Sequence, residues 1–271
     1  MGCTGELLIT TSTARLSTWG RMTVSSQLDL AGMTRVGELV ARALRVMQEA
    51  ATPGLSTAQL DTIGAAFLRR HGARSAPQLS YGFPGFTCIS VNEEIVHGVP
   101  GPRVLKPGDV VKIDVTAELE GFVADAAITV NLPPIRPQAR RLRRCAEQAF
   151  ARAMEVARAG HAIREIGRVI EDEVVNHGFN VVREMCGHGV GRTIHEQPTV
   201  PNFYSALTRG TLVEGMVLAV EPIISAEPSR VVEEDDGWTL RTHNRTLAAH
   251  YEHTIVIRAG APLILTALPA A

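Results

Sequence analysis

The chain has 271 residues, 45% hydrophobic content and a formal net charge of −1 at pH 7. That length can bury the core of one large domain or of two halves, and the charge balance indicates neither nucleic-acid binding nor binding to an anionic membrane. No run approaches the roughly 18 apolar residues of a membrane-spanning helix. The four cysteines have no paired spacing, which favours a reducing compartment, so a cytoplasmic location is expected.

Residues 1–29 differ in composition from the rest of the chain. They are rich in Ser and Thr and weakly periodic, which predicts a disordered or poorly ordered N-terminal tail. Acidic residues are sparse there, so a targeting peptide is the alternative interpretation. Residues 30–271 are expected to form a single domain.

Apolar residues at helical spacing predict two pairs of helices. The predicted helices cover about residues 33–52, 56–71, 137–160 and 163–177. The helices of the first pair end at Gly54 and Gly72, which are 18 residues apart. Those of the second pair end at Gly160 and Gly178, again 18 residues apart. The repeated spacing indicates an internal duplication.

A segment that ends on a carboxylate also occurs twice, and the second copy lies 107 residues after the first. In both copies an apolar run ends on an acid six residues past a Gly, at Asp114 and at Glu221. A second acid, Asp125 or Glu252, then opens the next predicted strand. A buried carboxylate costs roughly several kcal/mol unless it is paired or binds metal. The repeat therefore predicts two half-sites across a pseudo-twofold axis, with two divalent metals compensating four carboxylates.

Three histidines are candidate functional residues. His188 and His195 lie in a glycine-rich segment, where the missing side chains let backbone and ligand approach closely. A lone His is more often structural, but two in such a segment, in a chain with duplicated acids, favour a functional role. His97 lies where a predicted strand meets a Gly/Pro turn, and a simple turn residue is an equal alternative there.

Together these segments resemble type I methionine aminopeptidases. The resemblance is carried by Ser90-Val91-Asn92 with His97-Gly98, Asp114 with Asp125, Gly187-His188-Gly189-Val190-Gly191-Arg192 with His195-Glu196, Glu221-Pro222, and Tyr251-Glu252-His253-Thr254. This spaced set spans about residues 30–260 and is far more specific than any single motif. Only 25 residues separate His195 from Glu221, which favours type I over type II, where a larger insertion is expected.

The resemblance implies the pita-bread fold, which is an α/β (α+β) architecture. Two halves, here about residues 30–133 and 134–262, would be related by a pseudo-twofold axis. Their helices would pack on a curved, mainly antiparallel sheet. This internal symmetry agrees with the repeats in the sequence.

Five metal ligands are implied by the resemblance, position by position. They are Asp114, Asp125, His188, Glu221 and Glu252, of which Asp125 and Glu252 match the residues that bridge both ions. The implied cofactor is a pair of divalent metal ions. Ligation by many oxygens and one imidazole favours Mn, Fe or Co, and Zn is a further candidate.

The implied activity is removal of the N-terminal methionine from nascent proteins and peptides with a small second residue. A hydroxide that bridges the two metal ions would attack the first peptide bond. Glu221 matches the proton shuttle, and His195 would stabilise the developing oxyanion. His97 would contact the scissile amide or the second residue of the substrate.

The substrate pocket shows two departures from the family pattern. The residues expected to contact substrate are Phe83, Cys88, Ile194, Trp238 and His250, together with His97 and His195. Ile194 stands where many relatives have Phe, and a buried apolar filler is the plain alternative for Cys88. His250 stands where the family usually has Gln, and the two-residue period of a strand puts it on the same face as Glu252. His253 points the opposite way and is expected to be a structural hydrogen-bonding residue.

Two other functions remain open. One is an Xaa-Pro aminopeptidase or prolidase on the same scaffold, although these usually carry an additional N-terminal domain for which the chain has no room before His97. The other is an inactive interaction module, which typically loses metal ligands. The expected partners are nascent polypeptide N-termini, and a monomer is the default. An arginine cluster (Arg136, Arg140, Arg141, Arg143 and Arg144) predicts a solvated helix face, with ribosome docking as the alternative.

Overall fold

The computed structural model describes residues 24–267, which contain five helices and fifteen strands. The helices are α1 (Gln27–Ala50), α2 (Thr57–Arg70), α3 (Ala76–Tyr81), α4 (Pro137–Val156) and α5 (Arg164–Asn176). The strands are β1 (Arg74–Ser75), β2 (Cys88–Val91), β3 (Glu94–Val96), β4 (Val110–Leu119), β5 (Phe122–Asn131), β6 (Asn180–Val181), β7 (Cys186–Gly189), β8 (Glu196–Pro201), β9 (Val217–Val220), β10 (Ile223–Ser225), β11 (Val231–Glu233), β12 (Leu240–Thr242), β13 (Ala248–His250), β14 (Glu252–Val256) and β15 (Leu263–Ile264).

The four predicted helices are confirmed as α1, α2, α4 and α5. Ser56 caps α2: its hydroxyl accepts a hydrogen bond from the Gln59 N–H, and the Gln59 side chain accepts one from the Ser56 N–H. The six-residue α3 was not predicted, because it is too short to show a helical period. Within residues 24–267, no helix is both long and apolar enough to cross a membrane.

The first helix begins at Gln27, three residues before the expected domain boundary at residue 30. Ser26 is its N-cap and accepts a hydrogen bond from the Asp29 N–H, while the Asp29 carboxylate accepts from the hydroxyls of Ser25 and Ser26. The predicted boundary is therefore wrong by three residues, because these polar side chains cap a helix. The rest of the predicted tail, residues 1–23, lies outside the described residues.

The main sheet is symmetric about its centre. Its strand order is β1-β4-β5-β14-β9-β7-β8, with β2 also paired to β4 and β15 to β14. Its paired strands run antiparallel. The β4–β5 hairpin of the first half meets β14, which pairs in turn with β9 of the second half. The pseudo-twofold axis expected from the sequence repeat therefore passes between β5 and β14. Two small sheets, β13-β10-β6 and β11-β12-β3, complete the fold.

Each half buries its own hydrophobic core between helices and sheet. The first core includes Met33, Val40, Met47, Leu60, Val111, Ile113 and Val115. The second includes Leu142, Phe150, Ile166, Ile170, Leu218, Val220 and Ile255. Full burial of one such side chain contributes about 1.5–3 kcal/mol, so the helices are held to the sheet mainly by these contacts.

Strand β4 separates core from site. Val111, Ile113 and Val115 belong to the first core. Since side chains alternate between the faces of a strand, Asp114 projects to the opposite face of the sheet. The duplicated acids thus lie on the side of the sheet away from the first pair of helices.

Candidate metal centre and active site

The strand register brings three of the four acids to one face of the sheet. Asp114 lies opposite Ala127, which in turn lies opposite Glu252 on β14. Asp125 precedes Ala127 by two residues and lies opposite Thr116. Cross-strand partners project to the same side of a sheet. Because the Ala127 side chain is only a methyl group, the register leaves space between the carboxylates of Asp114 and Glu252.

His188 on β7 joins these acids together with Glu221, which directly follows β9. Its Nε2 lies 3.6 Å from Glu221 Oε1 and 4.0 Å from Asp125 Oδ2. Its Nδ1 lies 2.9 Å from the Gly189 carbonyl oxygen, and since that oxygen only accepts, Nδ1 carries the proton. Burial, and secondly the nearby His195, lower the pKa of His188 to about 3. The neutral ring therefore presents its Nε2 lone pair to the carboxylates, as a metal ligand does.

The glycines beside His188 are required by close backbone packing. A Cβ on Gly187 would lie 2.4 Å from the Ala219 carbonyl oxygen, and one on Gly189 would lie 2.3 Å from the Gln197 carbonyl oxygen. Strand β7 is inserted between β9 and β8, and side chains at these two positions would push the strands apart. The expectation that these glycines permit close backbone approach is confirmed.

The acid cluster is electrostatically unfavourable without a cation. Burial, followed by the charges of neighbouring carboxylates, raises the pKa values of Asp114, Glu221 and Glu252 well above their usual range. Burial also raises the pKa of Asp125 to about 6, although a hydrogen bond from Thr116 acts in the opposite direction. Such shifts favour either protonation or a compensating positive charge.

The donor atoms fit divalent metal ions. Asp114 Oδ1 and Glu252 Oε1 are buried and have no hydrogen-bond partner. Among residues 24–267, two groups of three donors have ligand atoms within 4.8 Å of one another: Asp125, His188 and Glu252, and Asp114, His250 and Glu252. Glu252 belongs to both groups, which suits a pair of ions that share a carboxylate. The structure thus brings together all five predicted ligands, and it adds His250.

Hydrogen bonds that the sequence did not reveal hold Asp125 in place. The Thr116 hydroxyl donates to Asp125 Oδ1 at 2.9 Å. The Asp125 N–H donates to the Thr254 hydroxyl at 2.9 Å, and that hydroxyl donates to the Asp125 carbonyl oxygen at 2.7 Å. Asn202 likewise donates to the carbonyl oxygen of Glu221 at 2.9 Å. Only Thr116 left a signal in the sequence, because it follows Asp114 by two residues and shares its face.

Two further histidines belong to the open side of the site. The His195 ring centroid lies 4.3 Å from that of His188, and His195 Nδ1 is hydrogen-bonded to the Tyr81 hydroxyl at 2.6 Å. His97 has φ 56°, a left-handed conformation that is uncommon for a side-chain-bearing residue. Part of His97 reaches solvent, yet the surrounding protein, with His195, lowers its pKa to about 4. Both rings are thus uncharged at neutral pH, and Tyr81 is a site residue that the sequence did not reveal.

The predicted pocket residues fall into different surroundings. Phe83 and Trp238 pack edge to face, with ring centroids 5.3 Å apart. Cys88 is buried and lies opposite Asp114, and burial raises the pKa of its thiol well above the usual range. Ile194 is buried in the first core. The structure therefore pairs the two aromatic residues and places Cys88 beside a metal-binding carboxylate.

The histidines on either side of Glu252 and Tyr251 behave as the sequence predicted. His253 is hydrogen-bonded through Nδ1 to the Thr266 hydroxyl and through Nε2 to the Tyr251 hydroxyl, which confirms its structural role. His250 Nε2 lies 3.3 Å from Glu252 Oε2 and 3.6 Å from Glu221 Oε2. The position of His250 beside Glu252 is thus confirmed as well.

Comparison with known proteins agrees with this geometry. Residues 31–259 match metallopeptidase family M24. The chain is 43% identical to methionine aminopeptidase 2 of Bacillus subtilis, over 91% of this chain and 100% of that protein. It is 41% identical to methionine aminopeptidase of Clostridium perfringens, over 89% of this chain and 96% of that protein.

Solved structures give the same result. The crystal structure of methionine aminopeptidase from Thermotoga maritima superposes with a TM-score of 0.88 at 34% identity, over 91% of this chain and 100% of that one. Prolidase from Pyrococcus furiosus shares the fold alone, with a TM-score of 0.75 at 21% identity, and 66% of that longer chain is covered. The pita-bread fold is thereby confirmed.

A buried cluster of acids and neutral imidazoles on this fold defines a metallopeptidase as the class of protein. The chain belongs to metallopeptidase family M24, and within that family to the methionine aminopeptidases.

Proposed function

We propose that this protein removes the N-terminal methionine from nascent proteins and peptides whose second residue is small. The observation that carries the proposal is the convergence of five donors from both halves of the sheet, with His97 and His195 on the open side. The five donors are Asp114, Asp125, His188, Glu221 and Glu252. Intact ligands argue against an inactive interaction module. The 25 residues between His195 and Glu221 support type I.

Two divalent ions would be held by these donors, with Asp125 and Glu252 shared between them. Oxygen-rich ligation supports Mn, Fe, Co or Zn as the metal. When bound, such ions supply Lewis acidity and lower the pKa of water to near neutrality, which provides a nucleophile for peptide hydrolysis. The remaining tasks fall to side chains of the protein.

Glu221 is the proposed proton carrier. Its carboxyl group is 9% exposed, and burial raises its pKa, so it can hold a proton at neutral pH. A carboxyl group with a pKa near the working pH can accept a proton from water and deliver it to the departing amine. The hydrogen bond from Asn202 to the Glu221 carbonyl oxygen fixes its backbone.

His195 is proposed to stabilise the oxyanion that forms on the scissile carbonyl. When the Tyr81 hydroxyl donates to His195 Nδ1, the single proton of the neutral ring lies on Nε2, which can then donate to the oxyanion. One such donor typically contributes about 2.7–4 kcal/mol to catalysis. His97 would contact the scissile amide or the second residue of the substrate.

The methionine side chain is proposed to occupy the pocket of Phe83, Cys88, Ile194 and Trp238. The edge-to-face pair of Phe83 and Trp238 offers aromatic surfaces, and a thioether gains about 0.3–1.5 kcal/mol beside an aromatic ring. The pocket is uncharged, which suits methionine over charged or strongly polar side chains. His250 was also proposed as a substrate contact, and its contacts in the structure are with Glu221 and Glu252.

The cellular setting follows from the proposed substrate. An enzyme that acts on nascent chains works in the cytoplasm, and we propose that it does so as a monomer. In the arginine cluster, Arg136 donates to the Gly108 carbonyl oxygen and Arg141 to that of His177, while Arg143 pairs with Glu147. These internal contacts support a solvated helix face over a ribosome-docking surface.

The test is methionine release by purified protein reloaded with Mn(II) or Co(II). The substrates are tripeptides that begin with Met-Gly or Met-Ala, and Xaa-Pro peptides serve as controls. The proposal predicts release of methionine alone, abolished by Asp125→Ala. Cleavage confined to Xaa-Pro peptides would instead assign prolidase-like activity, and absence of cleavage by metal-loaded protein would refute peptidase function.

A further inference from the structure

His250 is held rigidly against the acid cluster by its own backbone. The His250 N–H donates to the Thr129 hydroxyl at 3.0 Å, and that hydroxyl donates to the His250 carbonyl oxygen at 2.8 Å. Thr129 lies on β5, the strand that carries Asp125. This two-way hydrogen bond joins the small sheet that contains β13 to the main sheet, so the His250 ring has a fixed starting point beside the acids.

The His250 ring lacks partners where a buried ring normally has them. It is 2% exposed, and neither of its nitrogens makes a hydrogen bond. Of the six buried side-chain atoms without a partner in residues 24–267, four belong to His250, Asp114 and Glu252. Unsatisfied buried polar groups are costly and uncommon, so four of them in one place indicate a missing partner common to all three residues. A cation that accepts lone pairs from nitrogen and oxygen would be such a partner.

A hydrogen-bonding role for His250 fits less well. Nε2 lies within 3.3 Å of Glu252 Oε2 and 3.6 Å of Glu221 Oε2, but no hydrogen bond is formed with either carboxylate. A substrate-contact role also fits poorly, because His97 and His195 are exposed to the cleft, whereas His250 is as buried as Glu252. By contrast, His253 has both ring nitrogens hydrogen-bonded and needs no further partner.

We propose that His250 is a sixth metal-binding residue, which supplies an imidazole to the ion held by Asp114 and Glu252. The proposal rests on the proposed function, since it assumes that this cluster holds two ions. The two donor groups then have the same composition, each with one Asp, one His and the shared Glu252. Each ion would have its own imidazole, from His188 at one position and from His250 at the other.

This assignment predicts a shift in metal preference. Imidazole favours Co, Ni and Zn, whereas carboxylate and water suit Mn and Mg. His250→Gln would replace the imidazole with an amide and should weaken one Co(II) ion much more than one Mn(II) ion. We expect a loss in Co(II) affinity of on the order of 10- to 100-fold, the range found when groups around metal ligands are removed.

The experiment is a Co(II) titration of the full-length metal-free chain, followed by calorimetry and visible absorption. His253→Gln is the matched control, because it makes the same chemical change at a buried histidine three residues away. The expected result is a weakened second ion with an altered Co(II) spectrum in His250→Gln, and a wild-type spectrum in His253→Gln. Wild-type affinity and spectrum for both ions in His250→Gln would overturn the proposal.

A second measurement keeps the proposal testable if His250→Gln fails to fold. Wild-type protein with ¹⁵N-labelled histidine is titrated with Zn(II), and the ring nitrogens are followed by NMR. Coordination shifts in two imidazoles are expected, and a shift confined to His188 would refute ligation by His250. Neither experiment uses a peptide substrate. Failure of the proposed peptidase activity would therefore appear separately, as metal-loaded protein that does not release methionine.

Discussion

The two halves of the main sheet carry their acids in different ways. In the first half, Asp114 and Asp125 lie in the interior of the ten-residue strands β4 and β5, which are paired along their whole length. In the second half, Glu221 follows the four-residue β9, and Glu252 opens the five-residue β14. The first half is thus a continuous hairpin, whereas the second is interrupted beside each acid.

The interruptions are where the imidazoles enter. His188 lies on the short strand β7, and His250 ends the three-residue β13 just before Glu252. Both therefore belong to the second half, while the carboxylates come equally from both. The difference teaches that duplication supplies the negative charge symmetrically, and that later divergence of one half supplied the neutral donors.

The largest expected effect is the loss of a shared carboxylate from either half. Asp125→Asn and Glu252→Gln should each lower kcat/KM for a Met-Ala peptide by about 1000-fold or more, since metal-ion catalysis contributes several kcal/mol. Steady-state kinetics at saturating Mn(II) measure both. Near-equal losses would support equal contributions from the halves, and a mild effect of one variant would break the comparison.

Loss of His195 should come next. His195→Ala removes the proposed oxyanion donor and should lower kcat by about 100- to 1000-fold, with KM and metal content nearly unchanged. Kinetics and metal analysis on the same preparation provide the measurement. Wild-type kcat in this variant would rule out the assigned role.

Close packing around β7 predicts a stability effect confined to the second half. Gly187→Ala places a Cβ 2.4 Å from the Ala219 carbonyl oxygen and should lower the free energy of unfolding by about 1–3 kcal/mol. Gly260→Ala is the control, because nothing lies within 4 Å of a Cβ there, and it should change stability by less than about 0.5 kcal/mol. Urea unfolding of both variants provides the comparison.

The raised pKa values predict how metal affinity depends on pH. Because the pKa values of Asp114, Glu221 and Glu252 are raised and that of Asp125 is about 6, protons compete with metal, and affinity should fall by about tenfold or more from pH 8 to pH 6. Calorimetry in buffers of different ionisation enthalpy would detect the protons released.

The same carboxyl groups bind more protons in the folded than in the unfolded metal-free chain. The free energy of unfolding of metal-free protein should therefore fall as pH rises through 7 toward 8. His188 and His250, whose pKa values are lowered to about 3, lose stability only as pH falls below their unfolded value near 6.5. Stability that rises between pH 7 and 8 would contradict the raised carboxyl pKa values.

The smallest effect is expected at Tyr81. Tyr81→Phe removes the hydrogen bond to His195 Nδ1, which is worth about 0.5–1.5 kcal/mol, and should lower kcat only a few-fold to about tenfold. In the His195→Ala background the same change should have no further effect. An additive loss in the double variant would show that Tyr81 acts independently of His195.

Much of this site was accessible from the sequence because duplication leaves a periodic record. The paired helices and the acids Asp114, Asp125, Glu221 and Glu252 recur at one offset, so each copy supports the assignment of the other. The placement of His250 beside Glu252 also followed from sequence spacing. The chain breaks between β13 and β14 at Tyr251, so the strand period alone does not explain this contact, which depends on the Thr129 hydrogen bonds.

Other features depend on register and on contacts distant in sequence. Ala127 leaves space between two acids only because β5 lies between β4 and β14. Tyr81 contacts His195 across more than a hundred residues, from a helix too short to predict. Thr254 and Asn202 hold ligand backbones through hydrogen bonds with no sequence pattern. Such long-range contacts become visible only in three dimensions.

The central claim is that both halves build one metal centre, and counting bound ions tests it most directly. Equilibrium dialysis against Mn(II), followed by metal analysis, gives the number of ions per chain for wild type, Asp125→Asn and Glu252→Gln. Our account predicts two ions in wild type and weakened binding of both in either variant. A single ion that binds with wild-type affinity in both variants would contradict it.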